Sequence, residues 1–236
     1  MIIQRPSSSR GQTKTDRLDS RHGFSFGGYY DPVWMGFGPL RVLNEDHLAP
    51  GAAFDAQRRA NMELLTYVVD GELVHRDSLG GENAVRAGEL QWLSAGHGVE
   101  HTESNASDAT PAHVLRIWIQ PSRLNHEPAY ARHPAADPDA RGWVVRAAGD
   151  GRADSLPIRQ DVRVSQVRLA RGATAEYLLD ASRLYWLHLV SGRATANGEH
   201  VLEAGDALGW QDEDGTLALQ GGSDEPALAL LFDLPE

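Results

Sequence analysis

Short strand-like segments separated by turn residues run through residues 24 to 119, and this pattern constrains the fold more than any other feature. The dipeptide Asp70-Gly71 lies between two of these segments and is a typical signal for a two-residue β-hairpin. No segment carries apolar residues at a sustained helical period of 3.6. The pattern therefore predicts an all-β barrel or sandwich rather than alternating strands and helices.

The second half of the chain repeats the organisation of the first half. Val69-Asp70-Gly71-Glu72 corresponds to Val190-Ser191-Gly192-Arg193, and Ala87-Gly88-Glu89 corresponds to Ala204-Gly205-Asp206. Residues 121–141 shift in composition to Pro, Ala, His, Arg and Asp, which is typical of a linker. We therefore predict two copies of one β-barrel joined by this segment.

Charge and composition exclude several classes of function. The formal net charge is −11, with 33 acidic and 22 basic residues, and without a long Lys/Arg run this argues against direct binding to nucleic acid or anionic membranes. The absence of cysteine excludes a disulfide framework, a thiolate metal site and a cysteine nucleophile. No signal peptide or apolar stretch of 18 residues is apparent, so we expect a cytoplasmic protein that does not enter the membrane.

His101 and Glu103 are the main candidates for metal ligands. A hydrophobic run ends at the small residues Ser94-Ala95-Gly96, which permit a tight turn, and the chain then returns as an alternating strand. Residues two apart on a strand project from the same face, and an imidazole beside a carboxylate suits a first-row divalent ion. The alternative is a hydrogen-bonded polar pair inside the barrel mouth. His75, next to Arg76 and Asp77, is interpreted as part of a surface ladder.

Many short motifs in the first 135 residues resemble those of bacterial pirins. In chain order they include Asp19-Ser20, His22 with Phe24-Ser25-Phe26, Tyr29-Tyr30-Asp31-Pro32, Met35-Gly36-Phe37, Met62-Glu63, His75-Arg76-Asp77-Ser78, His101-Thr102-Glu103 and Ile117-Trp118-Ile119. The resemblance implies a bicupin fold, with a pirin-type cupin barrel carrying the metal-site positions over residues 1–130 and a structural cupin-like barrel over 131–236. It also implies an iron-family ion and, for several bacterial members, quercetin 2,3-dioxygenase activity. Other members are described as regulators that bind partner proteins.

The sequence departs from the pirin pattern at two metal-ligand positions. The family's His-x-His motif falls on Gln57 and Arg59. Gln57 can offer a carbonyl oxygen, whereas Arg59 cannot coordinate and its fixed positive charge opposes a nearby dication. The residual ligand set is therefore His101, Glu103 and Gln57. We also predict an internal ion pair between Arg59 and Glu103 in place of the metal.

Two functions remain open. The favoured hypothesis is a small-molecule-binding or regulatory protein with a degenerate metal site and little or no dioxygenase activity. Its ligand would be an apolar or aromatic molecule in the N-terminal barrel, lined by Trp92 and the aromatic loop of residues 29–37, or a protein partner. The alternative is a metal-dependent quercetin 2,3-dioxygenase-like oxidoreductase with a three-ligand site completed by water or His97. The expected cofactor is none, or a weakly bound Fe, Ni, Cu or Zn ion.

Overall fold

The computed structural model describes residues 1–152 and 154–236, and most of the regular structure in them is β-strand, which confirms the predicted fold class. The one helical element of these residues is a short 3-10 turn at Ser7–Ser9. The strands are β1 Ile2–Arg5, β2 Gly11–Lys14, β3 Leu18–His22, β4 Leu40–Leu48, β5 Gln57–Arg59, β6 Glu63–Asp70, β7 Glu72–Asp77, β8 Glu82–Arg86, β9 Leu90–Ser94, β10 Val99–Asn105, β11 Ala112–Ile119, β12 Ala129–His133, β13 Val144–Ala148, β14 Arg163–Leu169, β15 Thr174–Leu179, β16 Arg183–Ser191, β17 Arg193–Ala196, β18 His200–Glu203, β19 Ala207–Trp210, β20 Gly215–Gly221 and β21 Ala227–Pro235. No helix among the described residues is long and apolar enough to cross a membrane.

The strands form two compact units that interleave along the chain. The N-terminal unit consists of Gly11–Ala135 and Leu156–Gln160, and the C-terminal unit consists of Met1–Arg10, Ala136–Ser155 and Asp161–Glu236. The prediction was two continuous domains, 1–130 and 131–236, whereas the main change of unit falls after Ala135. In addition, Met1–Arg10 belongs to the C-terminal unit and Leu156–Gln160 to the N-terminal unit.

Strand pairing explains why Met1–Arg10 belongs to the C-terminal unit, and a buried carboxylate explains why Leu156–Gln160 belongs to the N-terminal unit. In the C-terminal unit β1 pairs antiparallel with β19, so that Ile2 lies opposite Trp210. In the N-terminal unit the buried Glu63 accepts hydrogen bonds from Trp92 Nε1 at 2.7 Å, from Ser94 Oγ at 2.6 Å and from the backbone N–H of Arg159 at 3.0 Å. The last bond ties Leu156–Gln160 to the unit that contains β6 and β9.

Two sheets enclose the core of the N-terminal unit. One has the strand order β12-β9-β6-β11-β4-β3-β2 and the other the order β5-β10-β7-β8. Buried apolar side chains from both sheets meet in clusters, such as Leu64 and Leu93 with Val99, and Val68 with Leu73. Each such side chain stabilises the fold by about 1.5–3 kcal/mol. This packing holds the two sheets together around the polar residues of the candidate site.

The predicted hairpin at Asp70-Gly71 is wrong, because the dipeptide forms a corner between the two sheets. β6 belongs to the seven-stranded sheet and β7 to the four-stranded sheet, so the two strands are not paired with each other. Gly71 has a φ of +80° and Gly192, between β16 and β17, has a φ of +76°. Both glycines therefore turn the chain from one sheet to the next in a conformation that other residues rarely adopt.

The segment predicted to be a linker, 121–141, contains a strand of the N-terminal unit. Ala129–His133 forms β12 and pairs antiparallel with β9, with Ala131 opposite Trp92. The linker prediction is wrong at these residues, because a proline-rich composition does not prevent an edge strand from pairing.

The C-terminal unit repeats the two-sheet design around an apolar interior. Its sheets have the orders β1-β19-β16-β21-β14-β13 and β15-β20-β17-β18. On β20, the inward residues Leu217 and Leu219 are fully buried in the main apolar cluster. This interior therefore differs from that of the N-terminal unit, where polar side chains point inward.

Candidate metal centre

Strands β10 and β7 bring three potential metal ligands together in the N-terminal unit. His101 and Glu103 lie two residues apart on β10, and β7 runs antiparallel beside it with His75 opposite Glu103 and Asp77 opposite His101. One donor atom from each of His75, His101 and Glu103 lies within 4.8 Å of the others. The pair found from sequence is thus joined by a third residue from the neighbouring strand.

The interpretation of His75 as part of a surface ladder is wrong, because its side chain is fully buried. Its ring stacks on Tyr130 with a centroid distance of 4.7 Å, and its Nε2 lies 2.9 Å from Asp77 Oδ2. An Nε2–H that donates to this carboxylate leaves the lone pair on Nδ1. Nδ1 is buried and has no hydrogen-bond partner, so it is available as a ligand atom.

Asp77 holds the orientation of His75. Burial raises the pKa of the Asp77 carboxyl, but hydrogen bonds from His75 and from the backbone N–H groups of Gly81 and Leu79 outweigh this effect and hold the pKa below its ordinary value. The carboxylate therefore stays charged and fixes the ring of His75. Such an outer partner is typical of histidines that bind metals.

His101 has two ring nitrogens that are both buried and without hydrogen-bond partners. Burial lowers the pKa of His101; the charge of Glu103 opposes this, whereas His75, Arg59 and Arg116 lower the pKa further. The imidazole is therefore neutral near pH 7 and carries a free lone pair. Unpartnered buried polar groups are rare because each costs about 1–3 kcal/mol.

Glu103 is held by donors from the opposite sheet and not by Arg59. Its Oε1 accepts a hydrogen bond from Thr66 Oγ1 at 2.9 Å and another from Gln91 Nε2. The Oε1 of Gln91 in turn accepts a hydrogen bond from the Tyr130 hydroxyl at 3.1 Å. The predicted ion pair between Arg59 and Glu103 is therefore wrong, because β6 and β9 supply neutral donors to Oε1 of the carboxylate.

Gln57 and Arg59 bind each other at the positions where the resemblance places two histidines. Gln57 lies opposite His101 and Arg59 opposite Val99 in the register of β5 and β10. Arg59 Nη2 donates to Gln57 Oε1, and its guanidinium lies over the ring of Trp118 at 4.5 Å. The oxygen that Gln57 was expected to offer to a metal is thus already engaged.

A second guanidinium adds to the positive charge around the cluster. Arg116 pairs through Nε with the buried Asp46 and lies over the ring of Phe54 at 3.9 Å. Burial and the charge of Arg116 both lower the pKa of Arg59. The two cations partly offset the negative charges of Glu103 and Asp77, which weakens the attraction of this site for a dication.

The enclosed space next to these residues is small. A cavity of about 20 Å³ is lined by His101, Glu103, Thr66, Gln91 and Trp118, among others. This is enough for roughly one water molecule or one ion. Sites for drug-sized ligands take about 300–1,000 Å³, so the cavity fits an ion and not an aromatic molecule.

Two residues assigned to the site from sequence lie elsewhere. Trp92 was expected to line the cavity, but on β9 it alternates with Gln91 and Leu93, which face the cavity, and its Nε1 donates to Glu63. His97 is more than half exposed and pairs with Glu127 at 3.1 Å. Neither side chain is placed to act as wall or ligand.

A second group of metal-donating side chains also lies in the N-terminal unit. Besides His75, His101 and Glu103, the described residues contain one further group of three, formed by Glu45, His47 and His113. Both groups lie outside the C-terminal unit, in agreement with its apolar interior.

The fold and the first cluster define a protein with two cupin-type units and a candidate metal centre in one of them. The chain belongs to the pirin family, because the pirin pattern matches residues 4–119 and the pattern of the quercetinase C-terminal cupin domain matches residues 145–234. It is 36% identical to a quercetin 2,3-dioxygenase of Escherichia coli (strain K12) over 235 residues, which cover 100% of this chain and 99% of that protein. A pirin-like protein of Caulobacter vibrioides is 38% identical over 90% of this chain and 92% of its own length.

Solved structures agree with this assignment. The crystal structure of the bacterial pirin YhhW from Escherichia coli in complex with nickel(II) matches with a TM-score of 0.93 at 36% identity, covering 100% of this chain and 99% of that one. The predicted bicupin fold and the resemblance to bacterial pirins are thereby confirmed.

Proposed function

We propose that this protein is a pirin-type bicupin that binds a divalent transition-metal ion weakly through His75, His101 and Glu103 and has little or no flavonol dioxygenase activity. The observation that carries the proposal is the state of His101, whose two ring nitrogens are buried without partners beside a cavity of about 20 Å³. A bound ion removes the free-energy cost of the nitrogen that it coordinates.

The donor set fits a first-row ion. Two imidazole nitrogens and one carboxylate oxygen are ligands for Fe, Ni, Cu and Zn, whereas Mg²⁺ and Ca²⁺ prefer oxygen alone. His75 is oriented by Asp77 and Glu103 by Thr66 and Gln91, so the donors are preorganised. Gln57, the third ligand expected from sequence, is replaced in this proposal by His75 because its oxygen accepts from Arg59.

Arg59 makes the binding weak. At about 4 Å and an effective dielectric constant near 20, two unit charges repel each other by roughly 4 kcal/mol, and a dication doubles this. Arg59 acts on His101 electrostatically, as the lowered pKa of that ring indicates, so its charge also reaches an ion held there. The turnover of relatives named quercetin 2,3-dioxygenases is the reference for the activity of this chain.

Low dioxygenase activity follows from the same geometry. A bound ion would supply the Lewis-acid and redox chemistry that oxygen activation needs. The cavity of about 20 Å³, whose lining includes Trp118 under the Arg59 guanidinium, has space for an ion and not for a flavonol inside it. Without substrate placed next to the ion, the rate gain from proximity is lost.

Binding of a small aromatic molecule is a second candidate function. An open groove of about 460 Å³ is lined by Arg58, Arg59, Ser78, Val99 and Glu100, among others, and includes none of the three candidate metal ligands. This volume lies in the range of small-molecule sites. The groove, and not the barrel interior, is therefore the place for such a ligand.

Metal titration and a flavonol assay test the proposal together. Chelator-treated wild type and His101→Gln are titrated with Ni²⁺ while the thermal midpoint is followed, with His97→Gln as a matched control on an exposed histidine. We expect a rise in the midpoint for wild type and His97→Gln and a smaller rise for His101→Gln. Quercetin turnover is expected at least about 100-fold below that of the Escherichia coli relative, which corresponds to about 2.7 kcal/mol of transition-state stabilisation.

Two results would contradict the proposal. Turnover equal to that of the relative would show that a three-ligand site and a small cavity are sufficient for the dioxygenase reaction. An identical response of wild type and His101→Gln to Ni²⁺ would remove the cluster as the metal site. Quenching of tryptophan fluorescence by quercetin, reduced in Arg58→Ala, would support the groove as a ligand site.

A further inference from the structure

The second cluster of metal-donating residues lies on strands β4 and β11. These strands are antiparallel, and His47 lies directly opposite His113. The two imidazole rings are stacked with a centroid distance of 4.1 Å. Glu45, two residues before His47 on the same face of β4, places its Oε1 2.9 Å from His113 Nε2. One donor atom of each residue lies within 4.8 Å of the others.

Two of the three side chains in the cluster are largely buried and the third is exposed. The side chains of Glu45 and His113 are 12% and 18% exposed, whereas His47 is exposed. The nearby carboxylates of Asp19 and Asp46 add negative charge, which favours a cation at this position.

We propose that Glu45, His47 and His113 form a second metal site, which takes a divalent first-row transition-metal ion such as Zn²⁺. The reason is the donor set: two imidazole nitrogens and one carboxylate oxygen match the ligands of Zn²⁺, which binds them at about 2.0–2.2 Å. Donors up to 4.8 Å apart reach this geometry when the exposed side chain of His47 rotates. The site shares no residue with the barrel cluster and does not depend on the proposed function.

An ion at this site joins β4 to β11 and replaces the direct stacking of the two imidazole rings. It also replaces the hydrogen bond between His113 and Glu45 with a stronger interaction on both residues. Because the ion binds only when the two strands are in register, it stabilises the folded state by mass action. We therefore expect Zn²⁺ to raise the thermal midpoint even when the barrel site is disabled.

Zinc titration in a His101→Gln background isolates the surface site. We expect calorimetry to find one Zn²⁺ per chain in this variant and at least a tenfold weaker affinity when His113→Gln is added. His47→Gln, which alters an exposed side chain, provides an independent variant should His113→Gln impair folding. His97→Gln removes another surface histidine that faces a glutamate and is expected to leave zinc affinity unchanged.

The outcome is read from affinity and from the imidazole NMR signals of His47 and His113. Shifts of both rings at one equivalent of Zn²⁺ support the site. Equal zinc affinity with and without His47→Gln or His113→Gln would overturn it, as would the absence of zinc binding in the His101→Gln protein.

Discussion

His75 lies directly opposite Glu103 in the register of β7 and β10, and each offers a donor atom to the same small cluster. Cross-strand neighbours of this kind bring together residues that are distant in sequence. The candidate metal centre of this pirin is thus formed by facing residues of two paired strands. Its candidate ligands do not include the two His-x-His positions of the pirin pattern, because Gln57 and Arg59 occupy them.

Replacing Gln57 and Arg59 together with histidine is expected to increase metal affinity at least tenfold. The double variant removes a fixed positive charge and adds two imidazoles opposite His101 and Val99. The measurement is the Ni²⁺-induced rise in thermal midpoint, made with His113→Gln present so that the surface site does not contribute. Arg58→His is the control, because Arg58 is 89% exposed on the same strand. A wild-type response equal to that of the double variant would mean that Arg59 does not oppose the ion.

Asp77→Asn is expected to weaken Ni²⁺ binding by about 10–100-fold, the usual effect of losing the outer partner of a ligand histidine. The amide keeps the shape of Asp77 but no longer holds the negative charge that fixes the Nε2–H of His75. Calorimetry of the metal-depleted protein measures the affinity. Glu100→Gln, an exposed carboxylate on β10, is the matched control and should bind as wild type does. Unchanged affinity in Asp77→Asn would argue against His75 as a ligand.

Tyr177 is expected to make the C-terminal unit less stable at alkaline pH. Burial and the neighbouring Asp233, which accepts its hydrogen bond at 3.0 Å, raise the pKa of Tyr177 from 10.0 to about 12. Because the folded state favours the neutral phenol, its contribution to stability is complete below pH 10 and is lost as the pH rises through about 12.

Tyr177→Phe tests this assignment. The variant should show a shallower fall in unfolding free energy between pH 10 and 12, although its stability at pH 8 is lower because the bond to Asp233 is lost. Tyrosinate absorbance followed during alkaline titration should lack one late-ionising group. An unchanged slope would mean that Tyr177 ionises at its ordinary pH.

Gly192→Ala is expected to lower the free energy of unfolding by about 2–4 kcal/mol, because it combines backbone strain with a steric clash. A Cβ at this corner would lie 2.5 Å from the carbonyl oxygen of Pro226. Gly80→Ala is the control: its φ is also positive, but nothing lies within 4 Å of the added atom, so strain alone costs about 1–2 kcal/mol. Urea denaturation measures both. Equal losses would show that the strand relaxes around the new methyl group.

The residues His101 and Glu103 could be paired from sequence because both lie on one strand, β10. Alternation along one strand puts both side chains on one face whatever the strand pairs with. His75 could not be found in this way, since its place beside Glu103 depends on the register of two separate strands. The alternation of Leu73, His75 and Asp77 was the available signal, because a buried Leu73 turns His75 inward.

The errors at Arg59 and Gly71 have a common cause. Arg59 stands where the pirin pattern has a metal-ligand histidine, which suggested an ion pair with Glu103, yet Thr66 and Gln91 from the other sheet donate to Glu103 instead. A turn dipeptide suggested a hairpin, yet Gly71 directs the chain into a different sheet. In both cases the deciding neighbour comes from a distant part of the chain, which composition and spacing do not reveal.

The pairing of β1 with β19 determines the order in which the two units are completed during synthesis. All of the N-terminal unit lies between these strands in the chain, and the backbone N–H of Ser7 donates to Asp206, 199 positions further on. Such distant contacts form slowly, and segments that leave the ribosome first fold first. The N-terminal unit can therefore fold before β19, the partner of β1, has been synthesised. Its candidate metal centre is then accessible to an ion before the rest of the polypeptide has been made.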